Sequence, residues 1–160
     1  MSDYSLLVIP IHNMTAETND LPPKLQQIIE DFQWSDDREK AQMLVEYSEK
    51  LPPLPDWINP DHSAMEQVHE CMTPVFVQSE VKDSRIFYYF DVPKSSPTVR
   101  GFAALMQEGI SGSTMEEVMR IPSNFFQPMG LEKVLSAQRM HGISAILGHM
   151  KRLAASGLDM

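Results

Sequence analysis

The chain contains one cysteine, Cys71, in the stretch His69-Glu70-Cys71-Met72-Thr73-Pro74-Val75-Phe76. A thiolate is a strong nucleophile, so one cysteine can carry covalent sulfur chemistry alone. It cannot form an internal disulfide, nor by itself the multi-thiolate ligand set of a structural zinc or iron–sulfur site. An alternating segment, Met65-Glu66-Gln67-Val68, precedes it, and a strand-like run from Val75 follows. With Pro74 barring regular pairing, Cys71 is expected on a tight connection between two strands. A thiol there is within reach of another protein. The alternative is a small buried apolar residue without chemistry. His69 can lower the thiol pKa if the strand continues far enough to place both side chains on one face, whereas the Glu70 carboxylate opposes it.

Arg139 is the second candidate. It lies four positions before Ile143 and so is expected to start the inward stripe of the last helix. A charged group in that position must be paired or face a cavity. In the first helical turn, free N–H groups and the helix dipole also favour an anion. Gly142, at the next turn, allows another backbone or loop to come close. A snorkelling arginine tied to an acidic residue is one reading; a Cys71 thiolate or persulfide as counter-ion is the other. The five histidines, His12, His62, His69, His141 and His149, show no i, i+4 pair and no HExxH, which argues against a metal site. A cysteine–histidine hydrolase would also need an orienting residue and an oxyanion hole, and nothing marks either. Gly109-Ile-Ser-Gly-Ser113 lacks the spacing and the following lysine of a phosphate loop. Of the 12 methionines, Met65 and Met72 flank the cysteine and most of the others read as core fillers.

A length of 160 residues suits one domain with a substantial core. The net charge of −9, from 22 acidic and 13 basic residues, disfavours nucleic acid or an anionic membrane surface as partner. No stretch approaches the ~20 apolar residues of a membrane span, and the Leu6–Ile11 run follows Asp3 rather than basic residues. A soluble, cytoplasmic protein is expected.

Positioning these residues requires a frame. Residues 1–20 show no periodicity; Leu6 to Ile9 can add an edge strand or an arm. A first helix is expected from Pro22-Pro23, with Leu25, Ile28, Ile29 and Phe32 on one face. Asp36 with Glu39 makes a capping box for a second, with Ala41, Leu44, Val45 and Ser48 inward. The two form a hairpin that covers a sheet and ends at Leu51-Pro52-Pro53-Leu54-Pro55. Strands are expected at Met65–His69, from Val75 to Val81 and from Ile86 to Val92, with Lys82-Asp83-Ser84 as a turn. Helices follow: one after Pro97 ending at Gly109, one capped by Ser113 with Glu116, and a last one capped by Ser136 and ending near Lys151-Arg152. The order predicts an α+β fold, a three-stranded antiparallel sheet packed by an N-terminal helix hairpin and C-terminal helices. Residues 21–160 are expected to form a single domain after an N-terminal extension of residues 1–20.

In this order the features resemble the SufE family, the sulfur-acceptor proteins of iron–sulfur cluster assembly. The resemblance runs from about Leu21 to Ala155. It rests on the hairpin ending in Leu51-Pro52-Pro53-Leu54-Pro55, on Cys71 followed by Thr73, Val75 and Phe76, on Val99-Arg100-Gly101, and on Leu135-Ser136-Ala137-Gln138-Arg139-Met140-His141-Gly142. It implies a SufE/IscU-like fold. It implies that Cys71 is the sulfur-accepting residue and that Arg139 matches an arginine near the cysteine loop, with His69, Thr73 and Gly142 in support. It implies a cysteine desulfurase as partner, a SufB-like iron–sulfur scaffold complex as recipient, and no cofactor in this chain, since the pyridoxal phosphate belongs to the desulfurase. A persulfide carrier that stimulates the desulfurase is then expected rather than a stand-alone enzyme, as monomer or homodimer, in a bacterial cytoplasm more readily than a plastid stroma. A cluster scaffold and a non-catalytic adaptor with a structural Cys71 are the alternatives. The chain departs from the family in having Glu70 where Gly is usual, Met72-Thr73 for Gln-Ser, and Ala137-Gln138 for Pro-Ser. A carboxylate beside the thiol disfavours the thiolate, and a non-glycine residue narrows the freedom of the loop.

Overall fold

The computed structural model describes residues 20–158; the arm or edge strand expected at Leu6–Ile9 lies outside them. Helix α1 (Pro23–Gln33) has proline in its first turn and buries Leu25, Ile28, Ile29 and Phe32, the face expected from their spacing. Burying each such side chain stabilises the fold by roughly 1.5–3 kcal/mol. Helix α2 (Asp37–Lys50) opens on the Asp36–Glu39 capping box. Its inward stripe is Lys40, Leu44 and Ser48, while Ala41 and Val45 are exposed. The face is therefore rotated from the one expected. Lys40 can turn inward because its stem is apolar and its Nζ donates to the Gly130 carbonyl at 3.0 Å.

The sheet is antiparallel in the order β1 (Glu66–Gln67), β2 (Phe76–Lys82), β3 (Arg85–Asp91). Asp83 and Ser84 both take positive φ between the paired Lys82 and Arg85, the two-residue turn that matches strand twist. Val75 and Val77 from one side of the hairpin and Ile86, Tyr88, Phe90 and Val92 from the other point to the core. The first strand is shorter than expected. After Val68, whose N–H still donates to Val75, the chain leaves the ladder, so 69–74 form the tip of the β1–β2 connection.

Helix α3 (Pro97–Ile110) is the centre of the molecule, with an unbroken buried run from Gly101 to Met106. It packs on β3 on one side and on the α1–α2 hairpin on the other. The hairpin thus reaches the sheet mainly through α3 instead of covering it directly. Two glycines permit this. A Cβ on Gly101 would fall inside contact distance of the Leu44 carbonyl, and one on Gly109 would lie 3.0 Å from the Leu25 Cα. Gly109 accordingly sits inside the helix rather than ending it, and the chain reverses at Gly112, where φ is 89°.

Helix α4 (Met115–Met119) is capped by Thr114 with Glu117, not by Ser113 with Glu116. Ser113 is already held by its backbone bridge to Ile86. Helix α5 (Ala137–Leu158) begins after Ser136, whose hydroxyl accepts from the Arg139 N–H at 3.2 Å. It runs past Lys151 and Arg152, which are therefore not in its last turn, because Ala154 continues the buried stripe. Tyr88 fixes α5 to the sheet by donating to the Met150 carbonyl at 2.7 Å.

Two glycine substitutions separate packing from helix propensity. Gly101→Ala is expected to lower stability by about 2 kcal/mol, because backbone must shift to admit the methyl. Gly148→Ala, with nothing within 4 Å, is expected to raise it by up to about 1 kcal/mol. Urea unfolding measures both, and two stabilising outcomes would contradict the close packing at Gly101.

Candidate functional site

The tip of the β1–β2 connection meets the first turns of α3 and α5 around a cleft of about 260 Å³. Cys71, Met72 and Thr73 form one wall, Thr98 and Val99 of α3 another, and Leu135, Ser136, Gln138, Arg139, Gly142 and Ile143 the third. Each wall follows from local sequence. Pro97 starts α3 at the cleft edge, Ser136 starts α5 there, and the departure of the chain from β1 after Val68 delivers the loop.

Cys71 is half-buried and turned toward α5, where its thiol donates to the Gly142 carbonyl at 3.5 Å. A Cβ at position 142 would lie 3.0 Å from Sγ, so a residue without a side chain makes the place in which the thiol rests. Burial, and secondarily the Glu70 carboxylate, push the thiol pKa up to about 11. In this position the sulfur is a protonated, shielded thiol at neutral pH. Glu70 itself is held below the usual carboxylate range by a backbone N–H and by His149. Thr73 donates to the Ser96 hydroxyl at 3.2 Å, tying the far side of the loop to the start of α3.

Arg139 lines the cleft but is exposed and has no ion pair among the described residues. It was expected at the head of the buried stripe; that stripe begins instead at Gly142 and Ile143, where the Cys71 loop rests on α5. Arg139 is the one charged residue lining the cleft among those described. The first-turn N–H groups of α3 lack a side-chain cap, as the Ser96 hydroxyl is engaged by Thr73. Two helix N-termini and a guanidinium therefore make the cleft favourable to an anion within a chain of net charge −9.

The structure thus brings Cys71, Thr73, Arg139 and Gly142 together and leaves His69 apart. With β1 ending at Gln67, His69 does not share a strand face with Cys71; it is exposed and forms no side-chain hydrogen bond among the described residues. The histidine that reaches the loop is His149, from the fourth turn of α5. Its Nε2 lies 3.0 Å from a Glu70 carboxylate oxygen and its Nδ1 is bonded to Glu66. Its sequence signal was its place within the stripe Ile146, Leu147, Met150, where a buried polar ring needs partners. No group of three or more His, Cys, Asp or Glu that could hold a metal ion occurs among the described residues, and no described helix is long and apolar enough to cross a membrane.

Comparison with known proteins gives a consistent picture. The SufE family model, described as an Fe-S metabolism associated domain, matches residues 26–154. An uncharacterized SufE-like protein of Mycobacterium tuberculosis is 34% identical over 140 residues, which cover 87% of this chain and 96% of that protein. A protein named cysteine desulfuration protein SufE, from Plasmodium vivax, is 25% identical over 152 residues, covering 92% of this chain and 59% of its own length. The solution structure of a hypothetical protein from Thermus thermophilus has a TM-score of 0.78 at 36% identity, covering 88% of this chain and 99% of that one.

The thiol environment sets a pH dependence. Raising a pKa from 9.0 to about 11 lowers the thiolate fraction at neutral pH roughly a hundredfold. Alkylation of the native protein by iodoacetamide should therefore keep rising through about pH 10, whereas the urea-unfolded chain should level off near about pH 9. Coincident profiles would show that the thiol is not shielded.

Proposed function

The chain belongs to the SufE family and has its role in iron–sulfur metabolism; within that role we propose that it is a sulfur acceptor that takes persulfide sulfur from a cysteine desulfurase onto Cys71. The observation that carries this reading is the place of Cys71. The only cysteine of the chain stands at the tip of a short connection, beside an anion-favouring cleft, and next to Met72, which is 81% exposed. Relatives from Plasmodium are named cysteine desulfuration proteins, and a desulfurase is the partner whose chemistry fits a single thiol.

The step is a thiol–persulfide exchange. The Cys71 thiolate attacks the outer sulfur of the partner's cysteine persulfide, one sulfur–sulfur bond forms as another breaks, and the partner's thiolate leaves. The proton lost by Cys71 balances the one taken up by the departing thiolate, so no external oxidant or reductant enters. The resting thiol, protonated and turned to Gly142, must leave that position to react. Met72 supplies an adaptable apolar contact for a protein surface at the rim. Arg139 and the two helix N-termini hold the negative charge of the sulfur at the cleft. An iron–sulfur scaffold complex is the recipient, and a cytoplasmic setting suits a lone reactive thiol.

Intact-mass measurement after incubation with a desulfurase and free cysteine tests this reading. Wild type should gain the mass of one sulfur, reversed by reductant, and Cys71→Ser should gain none. Arg139→Ala should slow acquisition about tenfold with stability changed by no more than about 0.5 kcal/mol, and Arg139→Lys should recover part of the rate. A chain that gains no sulfur, or whose Cys71→Ser variant still does, is not an acceptor through Cys71.

A further inference from the structure

The loop that carries Cys71 is fastened to the body through three side chains among the described residues. Two are weak: the thiol to the Gly142 carbonyl at 3.5 Å and Thr73 to the Ser96 hydroxyl at 3.2 Å. The third is the contact of Glu70 with His149 at 3.0 Å. Its two ends differ. The His149 side chain is 7% exposed and its other nitrogen is bonded to Glu66, on β1. Glu66 in turn accepts from Arg152, one turn further along α5, at 3.2 Å. His149 is therefore a post, fixed from a side that does not involve the loop. Glu70 is 46% exposed and stands at the loop tip, directly before Cys71. An imidazole with one proton donates to one of its two carboxylates, and with two it donates to both.

We propose that Glu70 and His149 form a latch that holds the Cys71 loop withdrawn, with His149 as the positioning residue, and that release of this contact is what exposes the sulfur for transfer. When Glu70 leaves, His149 keeps Glu66, which in turn keeps Arg152, so the ring is not orphaned and β1 stays docked on α5. Val68 and Val75, both fully buried and paired by a backbone hydrogen bond, hold the two ends of the loop. The tip between them moves without disturbing the core. The glycine at 142 gives the withdrawn thiol its place; the latch keeps it there. The consequence for transfer rests on the reading of Cys71 as the sulfur-accepting residue, whereas the control of thiol access does not.

Alkylation of the native full-length chain by iodoacetamide at fixed pH tests the latch. Glu70→Asp keeps a carboxylate beside the thiol but shortens its reach by one methylene, and Glu70 is exposed, so the fold is not at risk. His149→Leu keeps the buried volume and the Glu70 charge while removing the post. Each variant should alkylate about tenfold faster than wild type, and the double variant should be no faster than either single one. If Glu70 acted only through its charge on the thiol, Glu70→Asp would match wild type and His149→Leu would be slower or unchanged; either result overturns the latch. Multiplying effects in the double variant would overturn it as well. Sulfur uptake from a desulfurase, measured alongside, separates the two claims. Uptake by wild type with unchanged alkylation in the variants removes the latch and keeps the acceptor. Faster alkylation in the variants with no uptake by wild type removes the acceptor and keeps the latch.

Discussion

Cys71 lies against α5 because residue 142 has no side chain. With Sγ at the edge of contact to a hypothetical Cβ and bonded to the Gly142 carbonyl, the thiol occupies space that any other residue would take. Burial then favours the neutral form, and the pKa rises. The rest of the site follows from that constraint. A sulfur held in this way is partly shielded and protonated at neutral pH, which slows its reaction with electrophiles. In the proposed transfer, storage and reaction belong to two positions of one short loop, and the architecture has to support both.

The layers of the fold supply that support. Helix α3 is buried on nearly all sides, which is possible because Gly101 and Gly109 let α2 and α1 approach its backbone. The start of α3 is thereby held rigidly beside the loop, and α5 is held by the Tyr88 bond to Met150 and by its apolar stripe. Both helices present first turns to the same cleft. The arrangement is precise at the walls and loose at the tip, where Met72 is exposed and the connection is tied mainly by polar contacts.

The electrostatics divide in the same way. The chain is acidic overall, which shapes its encounter with a partner. The cleft is lined by Arg139 and by two helix N-termini and by no carboxylate among the described residues. Glu70 sits outside it, bound to His149. Cys71 lies between the two: the Glu70 carboxylate beside it disfavours the thiolate, and the cleft whose wall it forms carries groups that favour one.

Much of this was legible in the sequence. The spacing of Leu25, Ile28, Ile29 and Phe32, the Asp36–Glu39 box and the alternation of Ile86, Tyr88, Phe90 and Val92 report local periodicity, and local periodicity is a property of the chain alone. The placement of Cys71 on a strand connection, with Thr73, Gly142 and Arg139 as candidates, came from the same local rules and from family motifs. Where two local solutions competed, the tertiary structure chose. Thr114 caps α4 because Ser113 is held by Ile86. Lys40 turns inward because Gly130 offers it a carbonyl 90 residues away. Gly109 continues its helix because Leu25 packs against it. His149 is the clearest case. Its partners Glu66 and Glu70 lie 83 and 79 residues away, a pairing that no periodicity encodes. It exists only once β1, the cysteine loop and α5 have been brought together, because a hydrogen bond is decided by distances in space rather than along the chain.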